Sequence, residues 1–394
     1  MKLIFASDSF KGTLSSAEIC TLLEKAAKEV YGESNVNCIG LPVADGGEGT
    51  VDAVLAAKHG ERIKVQVHGP LMEEREAFYG CPDPDHAIME MAAASGLTLV
   101  PEELRNPLNT TSFGVGEMIL DALNRGIRDI TIAIGGSATN DGGMGCLTAL
   151  GVKLQDESGN PLDGKGMNLE RVRNIDLSGL DPGLRKHSII HDHIHDHDPS
   201  VQDIKLTIMC DVTNPLCGVN GATRVYGPQK GGTPEMIERL EQGMQNYRDV
   251  IRKELGVDAD TIPGSGAAGG LGAALSIFLG GQIRSGIDTV LDLIDFDKHL
   301  ADADLVITGE GRADAQSCCG KVLQGVGKRA KAAGIPVIGL CGSLGEGAEK
   351  LLDHGITKLL TTSEPGMPLE EAMCRAEELY YRSAVRMFKE WGKE

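Results

Sequence analysis

Aromatic side chains are scarce in this chain: Phe, Tyr and Trp make up 4% of 394 residues, with a single Trp. A core so poor in rings has to be filled by Val, Ile, Leu and Ala, which suits layered α/β packing. Positive charge is also in short supply. Lys and Arg number 38 against 57 Asp and Glu, for a formal net charge of −19. This argues against a nucleic acid polymer or an anionic membrane as the principal partner, since either would need a basic face. A small anionic substrate stays open, because a few local cations or a metal can reverse the field. The 10 cysteines contain no CxxC pair and no zinc-like Cys/His spacing, and they read as reduced thiols of a cytoplasmic protein. Long apolar runs are missing too. Residues 266–281 lack charge but are glycine-rich and short for a bilayer span, so a buried helix is expected there. The start, MKLIFASDSFKG, reads as a strand and loop rather than a leader peptide.

What the chain has in excess is glycine, 52 residues, and it is clustered beside ionisable side chains. LIFAS (3–7) predicts a strand that runs into DSFKGTLSS. A helix follows, with Ser15 and Glu18 in capping-box spacing and Ile19, Leu22, Leu23, Ala26, Ala27 and Val30 on one face. VNCIGLPV then predicts a second strand, followed by ADGGEGT and a helix. The pattern resumes near the other end with DLVITGEG (304–311), IPVIGLCGS (335–343), ITKLLTTS (356–363) and one closing amphipathic helix from EEAMC to KEW. These elements predict one doubly wound, parallel, Rossmann-like sheet domain built from both chain ends, residues 1–66 and 286–394. An inserted larger α/β domain would span 67–285. Its strands are expected at 87–91, 129–135 and 205–211, with a hairpin in GVKLQDESGNPL.

Seven segments are rich in glycine, in ionisable side chains or in both: DSFKG (8–12), DGGEGT (45–50), GGSATND (135–141), DVTNPL (211–216), GPQKG (227–231), GSGAAGG (264–270) and GEGRADAQSCCGK (309–321). Five lie at or near the carboxyl end of an expected strand, where open parallel sheets place ligands. Such residue types point to phosphoryl transfer. Glycine loops offer backbone N–H groups to phosphate, cations neutralise it, and carboxylates hold Mg²⁺ and accept a hydroxyl proton. The spacing of Gly264, Gly266 and Gly269 is GxGxxG, but a dinucleotide reading is weak. Pro263 abuts the first glycine with no strand before it, and Asp288 falls inside a helical pattern. The chain has no GxxxxGK[ST] loop and no protein-kinase signature. A separate stretch, HSIIHDHIHDHDPS (187–200), holds half of the 10 histidines, as a transition-metal binder or a solvated loop.

The seven motifs, in order and over nearly the full length, resemble the type I glycerate kinases of bacteria. The last motif departs from that family's usual form at Ala313, Cys319 and Leu323, while Glu310, Arg312, Asp314, Gln316 and Lys321 are retained. The resemblance implies ATP-dependent phosphorylation of D-glycerate, most often to 2-phosphoglycerate, in organic-acid or sugar-acid breakdown. It also implies an active site in an interdomain cleft that closes on ATP and glycerate. The candidate catalytic residues are Asp211, Asp314, Asp45 and Lys11, and the candidates for substrate binding are Asp8, Ser9, Arg312 and Lys321. Gly135, Gly136, Ser137, Lys230, Gly264, Gly266 and Gly269 are the phosphate and nucleotide candidates, with Asp211 and Glu310 as metal ligands. The partners expected are small molecules alone. Rival readings are a non-catalytic sugar-acid sensor and a nicotinamide-dependent oxidoreductase.

Overall fold

A computed structural model describes residues 1–186, 203–318, 320–364 and 366–391. The fold is mixed α/β, with parallel strands at the heart of both main sheets. The chain divides into two compact units. The first comprises Met1–Asp45, Asp52–His59 and Ser285–Glu394; the second comprises Gly46–Val51 and Gly60–Arg284.

The first unit is built on a five-stranded, all-parallel sheet. Its strands run in the spatial order Lys358–Thr361, Val337–Cys341, Leu305–Thr308, Lys2–Phe5, Asn37–Gly40. Taken in chain order this is 2-1-3-4-5, so the winding reverses between Lys2–Phe5 and Leu305–Thr308. Open α/β sheets hold ligands just beyond the carboxyl ends of strands at such a reversal. Both faces of the central strands are covered, and Leu3, Ile4, Phe5, Leu305, Val306 and Ile307 are fully enclosed, which is why these segments read as unbroken apolar runs. The helix Ser16–Tyr31 starts on the expected capping box: the Glu18 N–H donates to Ser15 Oγ, and the Ser15 N–H donates to Glu18 Oε2 at 2.8 Å. It packs on the helix Ala376–Trp391. There Phe388 meets Phe5 and Tyr31, and Phe10 meets Tyr380 edge-on at 5.3 Å. The few aromatic residues are thus concentrated where two helices close on the sheet. The closing helix expected from one amphipathic pattern is two helices, Leu369–Cys374 and Ala376–Trp391. They break at Arg375, whose guanidinium binds Glu371 and Glu378 on either side.

The second unit has a six-stranded mixed sheet in the order Gln282–Arg284, Lys205–Met209, Asp129–Ala133, His86–Glu90, Glu74–Asp83, Glu61–His68. The first four run parallel, and the last three pair antiparallel. Its core is aliphatic, with Ile130, Ile132, Leu271, Leu275 and Ile277 among the enclosed residues. The hairpin expected in GVKLQDESGNPL closes as a short antiparallel turn, with an antiparallel bridge between Gln155 and Pro161 and the Leu162 N–H donating to Leu154 O at 2.8 Å. The strand Lys153–Gln155 takes as its ladder partner the distant Asn174–Asp176. Asp288 lies within the helix Gly286–Leu293, in agreement with the case against a dinucleotide fingerprint. The His-rich stretch 187–200 and Cys319 fall outside the described residues.

Candidate active site

At the winding reversal of the first sheet, the chain leaves Phe5 through Ala6, Ser7 and Asp8, and leaves Thr308 through Gly309 and Glu310. The two exits are laced together: the Ala6 N–H donates to Ile307 O at 2.8 Å and the Asp8 N–H to Gly309 O at 2.9 Å. Gly309 has to be glycine because a Cβ there would run into Leu340 O of the next strand. This backbone pairing places Asp8 and Glu310 beside one another.

Asp8 is only 8% exposed. Burial, then the nearby Asp45 and Glu310 carboxylates, push its pKa up to about 7, against hydrogen bonding from Ser9 and the attraction of Lys11. The Ser9 N–H donates to Asp8 Oδ1 at 2.7 Å, which fixes the carboxylate's orientation. Burial also raises Glu310, opposed by a short hydrogen bond from the Ser317 hydroxyl and by Lys321. Lys11 stands exposed at the tip of a small loop pinned by mutual bonds between Phe10 and Leu14 and turned by Gly12 at φ 79°. The Arg312 side chain is 69% exposed, with Nε 3.7 Å from Asp314 Oδ2, a loose pairing that leaves the guanidinium available. Asp314 itself accepts from the Gln316 N–H at 2.9 Å, and Lys321 stands at the N-cap position of the helix Val322–Ala332 without a side-chain capping bond. Asp8, Ser9, Lys11, Asp45, Glu310, Arg312, Asp314 and Lys321 therefore all belong to one unit, and their charges converge on one sheet edge.

The remaining candidates lie in the second unit. Gly135 and Gly136 follow the strand Asp129–Ala133 and are exposed, with Gly136 left-handed at φ 76°. Asp211 is exposed beyond the strand Lys205–Met209. Gly264, Gly266 and Gly269 have a packing reason to be glycine. A Cβ on Gly266 would collide with Pro215 O, and one on Gly269 with Thr139 O. The Gly266 N–H already donates to Asn214 O at 2.9 Å, so that amide points at protein. Lys230 departs furthest from expectation: it is 2% exposed, and its Nζ donates to Ser137 Oγ at 2.8 Å and to Thr139 O at 2.6 Å. Among the described residues, no three Asp, Glu, His or Cys side chains are grouped so as to hold a metal by themselves.

The glycerate kinase family model matches residues 3–392. The chain belongs to that family. It is 45% identical to a glycerate 2-kinase of Escherichia coli K12, over 95% of this chain and 96% of the relative. It is likewise 45% identical to a glycerate kinase of Bacillus subtilis 168, over 98% and 96%. A crystal structure described as glycerate kinase 2 from Salmonella typhimurium LT2 superposes with a TM-score of 0.86 at 44% identity, covering 100% of this chain and 98% of that one.

As a kinase of the glycerate kinase family, the chain must handle ATP, and its donor set suits Mg²⁺. Magnesium keeps several waters and is held by one or two carboxylates plus substrate phosphates, so a full protein cage is not required. Glu310 in the first unit and Asp211 in the second are the carboxylates that would hold it. Two functional groups escaped sequence reasoning. Ser317 is fully buried, accepts from the Asp314 N–H at 3.0 Å and donates to Glu310, so one hydroxyl couples two acids of the motif. Asp141, also enclosed, accepts from Ser112 N at 2.8 Å, Ser112 Oγ at 2.7 Å, Gly143 N at 3.0 Å and Gly145 N at 3.2 Å. Both sit inside quoted motifs, but nothing local says which acid is buried.

Proposed function

We propose that this glycerate kinase transfers the γ-phosphoryl group of ATP to D-glycerate in the cytoplasm, giving 2-phosphoglycerate. The observation that carries the reading is the gathering of Asp8, Asp45 and Glu310, with Lys11 and Lys321 beside them, at the winding reversal of the first sheet. Asp8 serves as the proton acceptor for the substrate hydroxyl. A buried carboxylate that titrates near neutrality is ionised in part at working pH and basic enough to accept the proton. Lys11 and Arg312 hold the substrate carboxylate or the moving phosphoryl group, and Lys321 adds positive charge beside Glu310. Mg²⁺, held by Glu310 and the phosphates, would neutralise charge that develops on transfer. Gly135 and Gly136 offer exposed backbone amides suited to phosphate, and Asp211 is the second unit's metal or proton candidate. Asp314 orients the motif through Ser317.

The test is a coupled ADP-release assay with D-glycerate against other hydroxy acids, followed by ³¹P NMR of the product. A phosphorus coupled to a lone carbon-bound proton places the phosphate on the 2-hydroxyl. Coupling to a methylene pair would place it on the 3-hydroxyl and refute the regiochemistry. Ligand binding without ADP release would favour the sensor reading instead.

A further inference from the structure

The conformation of loop 135–141, exposed at Gly135 and Gly136 and enclosed from Ser137 to Asp141, needs a cause, since glycine by itself leaves backbone free to wander. On one side the loop is tied to backbone: the Ala138 N–H donates to Ser95 O and the Leu97 N–H to Gly136 O. At its far end, Asn140 Nδ2 donates to Thr223 Oγ1 at 3.0 Å, and Asp141 gathers its four donors. Between these ties two side chains reach the middle of the loop: Thr110 Oγ1 donates to Ala138 O at 3.1 Å, and Lys230 grips both Ser137 and Thr139. Lys230 is itself placed rigidly. It ends the single turn Pro228–Lys230, and the next residue, Gly231, is left-handed at φ 86° where a Cβ would meet Arg105 O. Beyond the loop's outer edge, Gly135 lies against Gly46 and Gly47, the residues that follow Asp45 in the chain.

We infer that Lys230 is a positioning residue for phosphoryl transfer: its enclosed amine fastens loop 135–141 from within, and it does not itself bind phosphate. Two of the donors of the amine are already engaged, and the group has almost no surface through which an anion could reach it. Burial pushes its pKa down to about 7, as fits an amine kept from water with no carboxylate in contact; Asp141 is the nearby acid that draws it back. A neutral amine still donates two hydrogen bonds, so fastening survives loss of the charge, whereas phosphate binding would not. Through Ser137 and Thr139 the lysine sets where the Gly135 and Gly136 amides point. The inference rests on the kinase reading for its consequence, though not for its geometry.

The experiment measures three quantities on the full chain and on Lys230→Met: amide hydrogen exchange without ligand, Mg·ATP affinity by calorimetry, and steady-state kinetics with D-glycerate. Methionine keeps the length and removes the donors. Exchange within residues 136–140 should quicken by about tenfold or more, as expected when hydrogen bonds from an amine are lost. ATP affinity should stay within about twofold while kcat falls by about tenfold or more, a kcat effect rather than a binding effect. Unchanged exchange together with an ATP affinity weakened by about a hundredfold would make Lys230 a phosphate ligand and overturn the inference. Should Lys230→Met fail to fold, Ser137→Ala removes one of the two acceptors and must show the same exchange signature in smaller degree; no quickening there also overturns it. Absence of kinase activity in the parent chain would strike the functional reading alone, because the exchange measurement stands without it.

Discussion

Asp8 shows how much one side chain can reveal. Its folded pKa, near 7, lies above the ordinary 3.8. The folded chain therefore binds this proton more tightly than the unfolded chain does, and between about pH 4 and about pH 7 stability falls as pH rises. Above that window the ionised Asp8 is a standing cost of up to about 4 kcal/mol. Asp8→Asn should then be more resistant to urea than the parent in Mg²⁺-free buffer at about pH 8.5, with the advantage shrinking toward about pH 5.5. Equal midpoints at both pH values would show that Asp8 is not held under strain. The same substitution should lower kcat by about a hundredfold or more, because it removes the proposed base. For the parent, kcat/KM should climb through an apparent pKa near 7, the ascending limb reporting the free enzyme. In these two measurements the residue that weakens the fold would prove to be the one proposed to take the proton.

At the scale of elements, local and distant forces separate cleanly. The Ser15 cap acts within four residues, so Ser15→Ala should cost about 1 kcal/mol in a denaturant melt with activity retained. This was readable from SSAE, since a cap needs only its own next turn. Gly269 is a different case. Its backbone is left-handed at φ 67°, in the run Ala268–Gly270 that opens the helix Ala267–Leu279, and a Cβ would strike Thr139 O from a loop far away in sequence. Gly269→Ala should cost about 3 kcal/mol or more, and the thermal midpoint reads it directly. In the sequence the same glycine looked like a phosphate contact. The GxGxxG spacing records only that Cβ is forbidden, whether a ligand or another strand's carbonyl forbids it. Likewise the partner of Lys153–Gln155 could not be read locally: a hairpin signal marks a turn, and the ladder goes to whichever strand covers the apolar face. The break at Arg375 also hides in a continuous amphipathic pattern, because the apolar face persists across it.

For the whole molecule, the two units carry separate cores, one clad in Phe5, Phe388 and Tyr380 and the other chiefly aliphatic. Phe388→Ala should cost about 3–5 kcal/mol. Native-state hydrogen exchange should show the loss at Lys2–Phe5 and Leu305–Thr308, while Ile130–Ala133 of the other core keeps its protection. Loss of protection at both would mean that the two cores melt as one.

Much was legible beforehand because its causes are short-range or compositional. Apolar runs of four to five residues between glycine-rich loops read as enclosed parallel strands, and their order along the chain announces a doubly wound sheet. Carboxylates and cations after such strands announce phosphoryl chemistry. Seven motifs in sequence order sufficed for the family. Tertiary structure alone decided the rest. One neighbour of Lys2–Phe5 is Leu305–Thr308, some 300 residues away, and that pairing sets Asp8 beside Glu310. It chose which lysine is enclosed and which, like Lys11, faces water, and which hydroxyl steadies an acid. The physical reason is that burial and strand order are properties of long-range packing. A residue's letter states what it can donate or accept, and only the surrounding chain determines whether water or protein answers.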